Sequence, residues 1–503
     1  MFTRWAAASR SKLLPKVTLN LHPSAGSGGP TPPPRQELYA KRKQIYPKLA
    51  HGKFRMVKWV VMAVTLAAYY IIPWLRWNRG EGIPNQAVLA DFSSEKFYFF
   101  FIEIWPQDIH YLAGLLILAS VALFLVTSLL GRVWCGYTCP QTVWTDLFIW
   151  VERAFEGDRA ARMRLDKAPM SINKFTRKFG KHIVWLVISF WTGGAFILYW
   201  HDAPTLARDW FSGEAPLSAY WFAGILTLMT YFLAGYMREQ VCTYMCPWPR
   251  IQGALTDEHA LNVTYRHDRG EPRGPHRKNE SWDDRGECID CNQCVQVCPV
   301  GIDIRDGEQL ECIHCALCID ACDKMMLRID RPTGLIGYDT QVAVAARAAG
   351  TPPPKTRLIR SRTVVYGVLM LVIAGLMAFG LSTKATFEVN ILKDRSPPYI
   401  RLSDGDIRNG YTLKLVNKGT KARDMQVSIE GIDGMAFKII GIESEGATSI
   451  TLPVAAHGVD RYRVLVTAPI ATDRPHRQIV FHVIALDNDE SQTNRTSFRG
   501  PDQ

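Results

Sequence analysis

Eight cysteines between residues 288 and 322 constrain this chain more than any other feature. They read Cys288-x2-Cys291-x2-Cys294-x3-Cys298-Pro299, then Cys312-x2-Cys315-x2-Cys318-x3-Cys322, with thirteen residues between the two runs. Each run has the bacterial ferredoxin spacing. Three of its thiolates wrap one iron–sulfur cube and the fourth reaches across to the other. The expected ligand sets are Cys288, Cys291, Cys294 and Cys322 for one [4Fe–4S] cluster, and Cys312, Cys315, Cys318 and Cys298 for the second. Zinc sites and disulfide frameworks do not use this x2-x2-x3 rhythm. Asp323 stands where proline commonly follows the last cysteine. That proline shapes a turn and binds no metal, so its absence does not touch the ligand set.

The remaining four cysteines complete the total of twelve, and all twelve fall in motifs. This usage speaks for metal and redox chemistry rather than disulfide stapling. The 503 residues leave room for two to four domains. The formal charge of +12 is concentrated, with twelve Lys/Arg and one acid, Glu37, between Met1 and Lys58. Beside a hydrophobic span such a tail is read as a cytoplasmic topology signal rather than a nucleic-acid arm. Residues 1–55, interrupted by Gly26 to Pro34, are expected to be disordered. They do not read as a cleaved signal peptide, because the charged region is long and the apolar segment after it spans a bilayer.

Five segments are apolar over about 20 residues, the ~30 Å of a bilayer core: 56–76, 109–130, 182–200, 217–237 and 363–382. Trp59, Trp74, Trp185, Trp200, Tyr220 and Trp221 lie near their ends, where interfacial aromatics belong. Residues 131–181 carry ten Lys/Arg, including Arg159, Arg162, Arg164 and Arg177. Residues 77–108 carry two, Arg79 and Lys96, and residues 201–216 only Arg208. The positive-inside rule then places the N-terminus and the 131–181 and 238–362 loops in the cytoplasm of a bacterial inner membrane. Five spans put residues after 382 outside. The expected domains are a basic tail (1–55), a four-span membrane domain (56–237), a cytoplasmic two-cluster module with linker (238–362), a fifth span (363–382) and a periplasmic domain (383–503). Thr351-Pro-Pro-Pro354 with Lys355, Arg357, Arg360 and Arg362 reads as a stiff linker and anchor. In the last domain, Tyr411, Leu413 and Leu415, then Tyr462, Val464 and Val466, then Ile479, Phe481 and Val483 alternate with polar residues. Turn signals such as Asp404-Gly405, Asn409-Gly410 and Lys418-Gly419 separate them. This predicts a β-sandwich of about seven strands without a disulfide, serving in docking rather than catalysis.

Cys135-x3-Cys139-Pro140 follows the second span, and Cys242-x3-Cys246-Pro247 follows the fourth. Both are expected at the cytoplasmic membrane edge. Residues i and i+4 share a helix face, and the residue before proline is pushed out of the helical region, so each second cysteine should sit at a helix end. Four such thiols can hold a soft ion, Cu(I) or zinc, or cycle between dithiol and disulfide. Buried cysteines can also simply pack as small apolar groups. His314 reads as a solvated or supporting residue rather than a ligand. His110 and His201 read as interfacial, and Glu103 and Asp108 as solvated loop charges.

From about residue 40 onward the chain resembles the FixG/CcoG cytochrome c oxidase accessory proteins. The resemblance rests on the two Cys-x3-Cys-Pro motifs, the two ferredoxin runs, the segment Cys318-Ile-Asp-Ala-Cys322-Asp323 and the terminal β domain. Ferredoxin-type membrane proteins of nitrate and nitrous oxide respiration share the first features but usually lack that β domain. The resemblance implies an Ig-like fold for residues 383–503 and a role in assembling cbb3-type cytochrome c oxidase. It also implies reduction of Cu(II) to Cu(I), with Cys135, Cys139, Cys242 and Cys246 as the copper or redox site. Implied partners are membrane lipid, a cytoplasmic electron donor, and a copper chaperone or oxidase assembly factors, with no nucleic acid. Two other classes stay open: an electron conduit between the quinol pool and a partner, and a non-enzymatic assembly scaffold.

Overall fold

The computed structural model describes residues 44–80, 83–277, 280–419, 421–442, 448–469 and 476–501. The expected disorder of the N-terminal tail falls on residues 1–43, outside that range. Residues 45–52, also assigned to the tail, are packed instead. Lys48 N donates to Gln296 O at 2.8 Å, and the Arg159 guanidinium donates to Tyr46 O at 2.6 Å.

The membrane part runs α1 (Lys53–Ile71), a strand meander β1 (Val88–Asp91), β2 (Lys96–Phe99) and β3 (Ile102–Ile104), then α2 (Ile109–Leu130), α3 (Val133–Tyr137), α4 (Pro140–Glu156), α5 (Arg159–Lys167), α6 (Ile172–Ile197), α7 (Ala203–Ser212) and α8 (Leu217–Thr230). Helix α8 continues as a π-helix over Tyr231–Met237. Among the described residues four helices are long and apolar enough to cross a membrane: Lys53–Trp74, Pro106–Leu130, Leu217–Met237 and Ser361–Ser382. The expected third span, 182–200, belongs to α6, whose N-terminal half carries Lys174, Arg177, Lys178 and Lys181.

α6 is fastened at both of its ends. Its first turns pair with α4 and α5: Lys178 lies 3.1 Å from Glu156, and Lys181 lies 2.8 Å from the same carboxylate. At its far end Leu198 O accepts from Gln86 Nε2 at 2.7 Å, and Tyr199 O accepts from Ala90 N at 2.8 Å, beside the β1–β3 sheet. Gly193 lets α6 approach Ala223 and Thr227 of α8, where a Cβ would meet backbone. Trp185, expected at an interface, is buried instead. It stacks on Phe148 at 5.2 Å and donates to Phe148 O.

The central part comprises α9 (Trp248–Leu255), β4 (Asn262–Tyr265), α10 (His267–Gly270), α11 (Gln293–Val297), α12 (Leu317–Arg328), β5 (Ile336–Asp339) and α13 (Gln341–Ala348). β4 and β5 pair antiparallel, and Val263, Tyr265, Ile304, Ile319, Met326, Leu335 and Ile336 form its core around Cys288 and Cys294. Its fit to α1 is specific. Gly52 gives α1 no side-chain cap, and Asp320 of α12 accepts from Phe54 N (3.2 Å) and Arg55 N (2.8 Å) instead. A carboxylate there satisfies orphan N–H groups and favours the positive helix end. Helix α14 (Ser361–Ser382) starts on the same face, where Arg360 bonds both Asp257 oxygens and Ser128 O at the end of α2.

Residues after α14 form two packed antiparallel sheets. The first has strand order β10 (Ala436–Ile439), β12 (Val459–Ala468), β8 (Ile407–Asn417), β6 (Phe387–Lys393), with β7 (Ile400–Arg401) also on β8. The second has the order β11 (Ser449–Val454), β9 (Arg423–Glu430), β13 (His476–Ala485), β14 (Ser491–Arg499). Nine strands stand among the described residues where about seven were expected. The difference lies in pieces such as β7 and β10, too short to show alternation. The predicted alternation is realised: Tyr411, Leu413, Leu415, Val464, Val466, Ile479, Phe481 and Val483 are fully buried between the sheets. Glu103 and Asp108 are not solvated. Asp108 pairs with Lys384 (2.6 Å) and Lys418 (3.4 Å), and Glu103 with His457 (3.2 Å), tying the β1–β3 side to the sandwich.

A buried charge belt fixes the other face. Glu152 of α4 lies 2.8 Å from Arg162, 3.1 Å from Arg238 and 3.4 Å from Lys181. Burial alone would raise its pKa. Arg238, Lys181 and Arg162 outweigh burial and lower it from 4.5 to about 2. Glu152→Ala takes the carboxylate from Arg162 and Arg238 and leaves Lys181 with Glu156 alone, so thermal unfolding in detergent should show a loss of about 3–5 kcal/mol. Because the folded pKa is depressed, this contribution is intact above pH ~4.5 and is lost as pH falls towards 2.

Candidate iron–sulfur and thiol site

The two ferredoxin runs share one backbone wrap. Asp290 and Asn292 take left-handed φ of 53° and 57°, and His314 and Ala316, at the matching places of the second run, take 51° and 59°. Non-glycine residues there cost roughly 1–3 kcal/mol each and persist only where the surroundings impose them. The wrap turns successive cysteines to one side and starts a helix, α11 or α12, on the third.

The fourth cysteines cross over. Burial raises the Cys322 thiol pKa most, and its further raising neighbours are Cys294, Cys291, Asp323 and Cys288. Burial pushes Cys298 up to about 11, with Cys315 beside it. It pushes Cys312 up to about 12, with Cys315 and Cys298 beside it. Cys318 is raised well above its ordinary value by burial, then by Cys315, Cys312, Cys298 and Cys294. The sulfurs thus form two groups, Cys288/Cys291/Cys294/Cys322 and Cys298/Cys312/Cys315/Cys318, adjoining at Cys294 and Cys318. Five of them line one apolar cavity with Val263, Val300, Ile302, Ile304 and Ile313. Thiols in so apolar a setting ionise only against a bound cation. An all-sulfur donor set around such a cavity fits a cube of iron and sulfide.

The second set of cysteines gathers at the ends of α2 and α8. Both residues before proline leave the helical region, Cys139 at φ −57°, ψ 127° and Cys246 at φ −81°, ψ 122°. Cys242 lies in a π-helical turn, Val241–Met245, a distortion frequent at functional sites. Burial pushes Cys135 up to about 11, with Cys139 and Cys246 raising it further. Burial pushes Cys242 up to about 12, with Cys139, Cys135 and Cys246 adding to it. All four thiols therefore share one neighbourhood. Among the described residues no three His, Cys, Asp or Glu side chains converge on a single ion position. Capture of a bare ion by these thiols needs side-chain rotation. Cys135 Sγ lies 3.0 Å from Gln252 Oε1, and buried Gln252 donates to Thr127 Oγ1 at 3.2 Å.

The two sulfur sets adjoin through one buried cluster. Cys135, Ile313, Cys315 and Leu317 belong to one buried cluster, with Cys318 packed against it. Tyr137 Oη donates to Cys315 O at 3.1 Å. Arg132 N donates to His314 Nδ1 at 3.0 Å, and the Arg132 guanidinium donates to Leu310 O. His314 is thus buried at the junction, not solvated. Burial and the nearby Arg132 lower its pKa to about 4, leaving it neutral at pH 7. A Cβ on Gly136 would collide with Ile313 O and the Cys315 backbone. Asp320, Gly136 and Gln252 are contacts that sequence reasoning missed. Only Gly136, standing where the second motif has Thr243, left a trace in the sequence. His110 is exposed, its ring tilted against that of Tyr111. The structure brings neither His110 nor His201 to either set of cysteines.

Residues 237–341 match the sequence model of a 4Fe–4S dicluster domain, and residues 377–501 match that of the Ig-like fold at the C-terminus of FixG. The nitrogen fixation protein FixG of Rhizobium meliloti (strain 1021) is 48% identical over 463 residues, covering 86% of this chain and 88% of that protein. The chain belongs to the FixG family. Protein RdxB of Cereibacter sphaeroides is 48% identical over 83% of this chain and 87% of its own length. Protein RdxA of the same organism is 46% identical over 87% and 92%. A further 4Fe–4S binding model covers residues 112–156, and so takes in Cys135 and Cys139. Family membership and the apolar helices make this a membrane-bound iron–sulfur electron-transfer protein with an Ig-like C-terminal domain.

His314→Ala strips the buried Arg132 N–H of its acceptor. The expected loss is about 1–3 kcal/mol, read as earlier loss of the iron–sulfur absorbance in an anaerobic denaturant titration.

Proposed function

We propose that this protein takes single electrons from a cytoplasmic donor and reduces Cu(II) to Cu(I) at Cys135, Cys139, Cys242 and Cys246, supplying copper during assembly of cbb3-type cytochrome c oxidase. One observation carries this reading: Cys135 and Cys315 share a buried contact cluster, so side-chain packing and not solvent lies between the two sulfur sets. Cys288, Cys291, Cys294 and Cys322 hold one [4Fe–4S] cluster, and Cys312, Cys315, Cys318 and Cys298 the other. Bound there, the clusters supply one-electron storage and transfer. The electron balance is one per copper, Cu(II) + e⁻ → Cu(I); the thiols that bind the ion release their protons to solvent, and no general acid enters. The four thiols favour the product, because thiolates are soft ligands that prefer Cu(I). Thr142, which donates to Cys135 O at 2.6 Å, and Gln252 hold Cys135 in place.

The topology that goes with this reading has five crossings, α6 included. α2 ends beside His314 on the face of the clusters, while α7, against which the first turns of α8 pack, begins beside Gln86 on the face of the β1–β3 sheet. The chain must return between them, and α6 makes that passage. The cluster face is cytoplasmic, in keeping with its basic loops, and the Ig-like domain is periplasmic, where it docks assembly partners or a copper chaperone.

A second reading has specific support. The 4Fe–4S binding match over Cys135 and Cys139 favours a pure conduit, passing electrons between quinol and a partner without copper. Anaerobic purification with iron, sulfide and copper counts, followed by a copper-reduction assay, separates the two. The copper reading expects Cys242→Ala and Cys246→Ala to abolish Cu(I) formation while both cluster signals persist in electron paramagnetic resonance. A protein with both clusters that neither binds nor reduces copper establishes the conduit.

A further inference from the structure

The two Cys-x3-Cys-Pro motifs are repeats in sequence, yet the structure covers them unequally. In the first, Cys135-Gly136-Tyr137-Thr138-Cys139, the middle residues lie under protein. Gly136 has the Ile313–Cys315 backbone where its Cβ would be, and Tyr137, only 8% exposed, donates to Cys315 O. In the second, Cys242-Thr243-Tyr244-Met245-Cys246, Thr243 is half-buried and the two residues after it are exposed. Tyr244 is 76% exposed and Met245 55%. Thr243 could not occupy the place of Gly136, and Tyr244 makes no counterpart of the Tyr137 hydrogen bond. The repeat cannot be turned round, so the two halves cannot share one task.

We propose that the halves divide the work of the four-thiol site, a reading that rests on the copper chemistry proposed above. The Cys135/Cys139 half is the electron-receiving side, held against Cys315 through Gly136 and Tyr137. The Cys242/Cys246 half is the ion-exchange side, which a soft cation reaches past the exposed Tyr244 and Met245, with the Met245 thioether as an additional soft ligand. The residue types match these tasks. Glycine permits backbone contact and so shortens the distance an electron must travel. A thioether is neutral and polarizable, binds Cu(I) in preference to Cu(II), and needs no deprotonation. Its place between Tyr244 and Cys246 puts it on the uncovered rim. The step remains one electron taken up per Cu(II), with Cu(I) leaving by the side on which copper arrived.

The test uses the full-length protein in detergent with intact clusters. Two quantities are read: the rate of Cu(I) formation at saturating copper, and Cu(I) affinity by competition with a chromophoric Cu(I) chelator. Gly136→Ala should lower the saturating rate about tenfold or more while Cu(I) affinity stays within about twofold. Tyr137→Phe, a milder change at the same seat, should act in the same direction and keeps that arm decisive if Gly136→Ala does not fold. Met245→Ala and Met245→Gln should weaken Cu(I) affinity about tenfold, and Met245→Cys, which restores a soft ligand, should recover it. Met245 is exposed, so these variants are expected to fold. The division is overturned if Met245→Gln binds Cu(I) as tightly as the unaltered protein, or if the Gly136 and Met245 variants move the same parameter. If the unaltered protein neither binds nor reduces copper, the copper reading and this division fall together.

Discussion

The seat of the α2–α3 turn on the backbone of Ile313–Cys315 is the contact on which the rest of this structure depends. Three groups make it: Arg132 through its N–H to His314, Gly136 through the missing Cβ, and Tyr137 through its hydroxyl to Cys315 O. Each is buried, and each joins residues about 180 positions apart in the chain. Without this seat the ferredoxin-like part and the four-thiol group would be two sulfur sites on one polypeptide, separated by water.

The rest of that face is built to hold the seat still. Asp320 closes the open end of α1, Arg360 ties α14 to Asp257 and to the end of α2, and Glu152 gathers Arg162, Lys181 and Arg238 from three further elements. These are charge-assisted bonds between groups largely withdrawn from solvent, where geometry counts for more than Coulomb attraction alone. The opposite face is fastened by Asp108 with Lys384 and Lys418, and by Glu103 with His457. The helices between the faces are plain apolar rods by comparison. Specificity resides at their ends.

What was legible in the sequence is what depends on spacing. Cysteine intervals gave the two cluster runs, apolar length gave four of the helices, and period-two alternation gave the inward faces of the sandwich around Tyr411 and Phe481. Proline behind Cys139 and Cys246 marked both helix breaks. What was hidden depends on partners distant in the chain. Nothing local marks Asp320 as the cap of α1, Gln252 as the partner of Cys135, or Trp185 as a packed rather than interfacial ring. The β1–β3 sheet was read as loop because each strand is only three or four residues long. Asp108 and Glu103 look solvated in the sequence because the partners that bury them, Lys384, Lys418 and His457, stand far along the chain.

The proposed chemistry passes one electron across the seat for each copper ion reduced. The most direct measurement mixes the anaerobically reduced protein with substoichiometric Cu(II) in a stopped-flow instrument, following iron–sulfur absorbance and Cu(I)–chelate colour together. Matching time courses are expected, with one electron lost for each Cu(I) formed. Oxidation of the clusters without Cu(I), or Cu(I) formed while the clusters stay reduced, would contradict that chemistry.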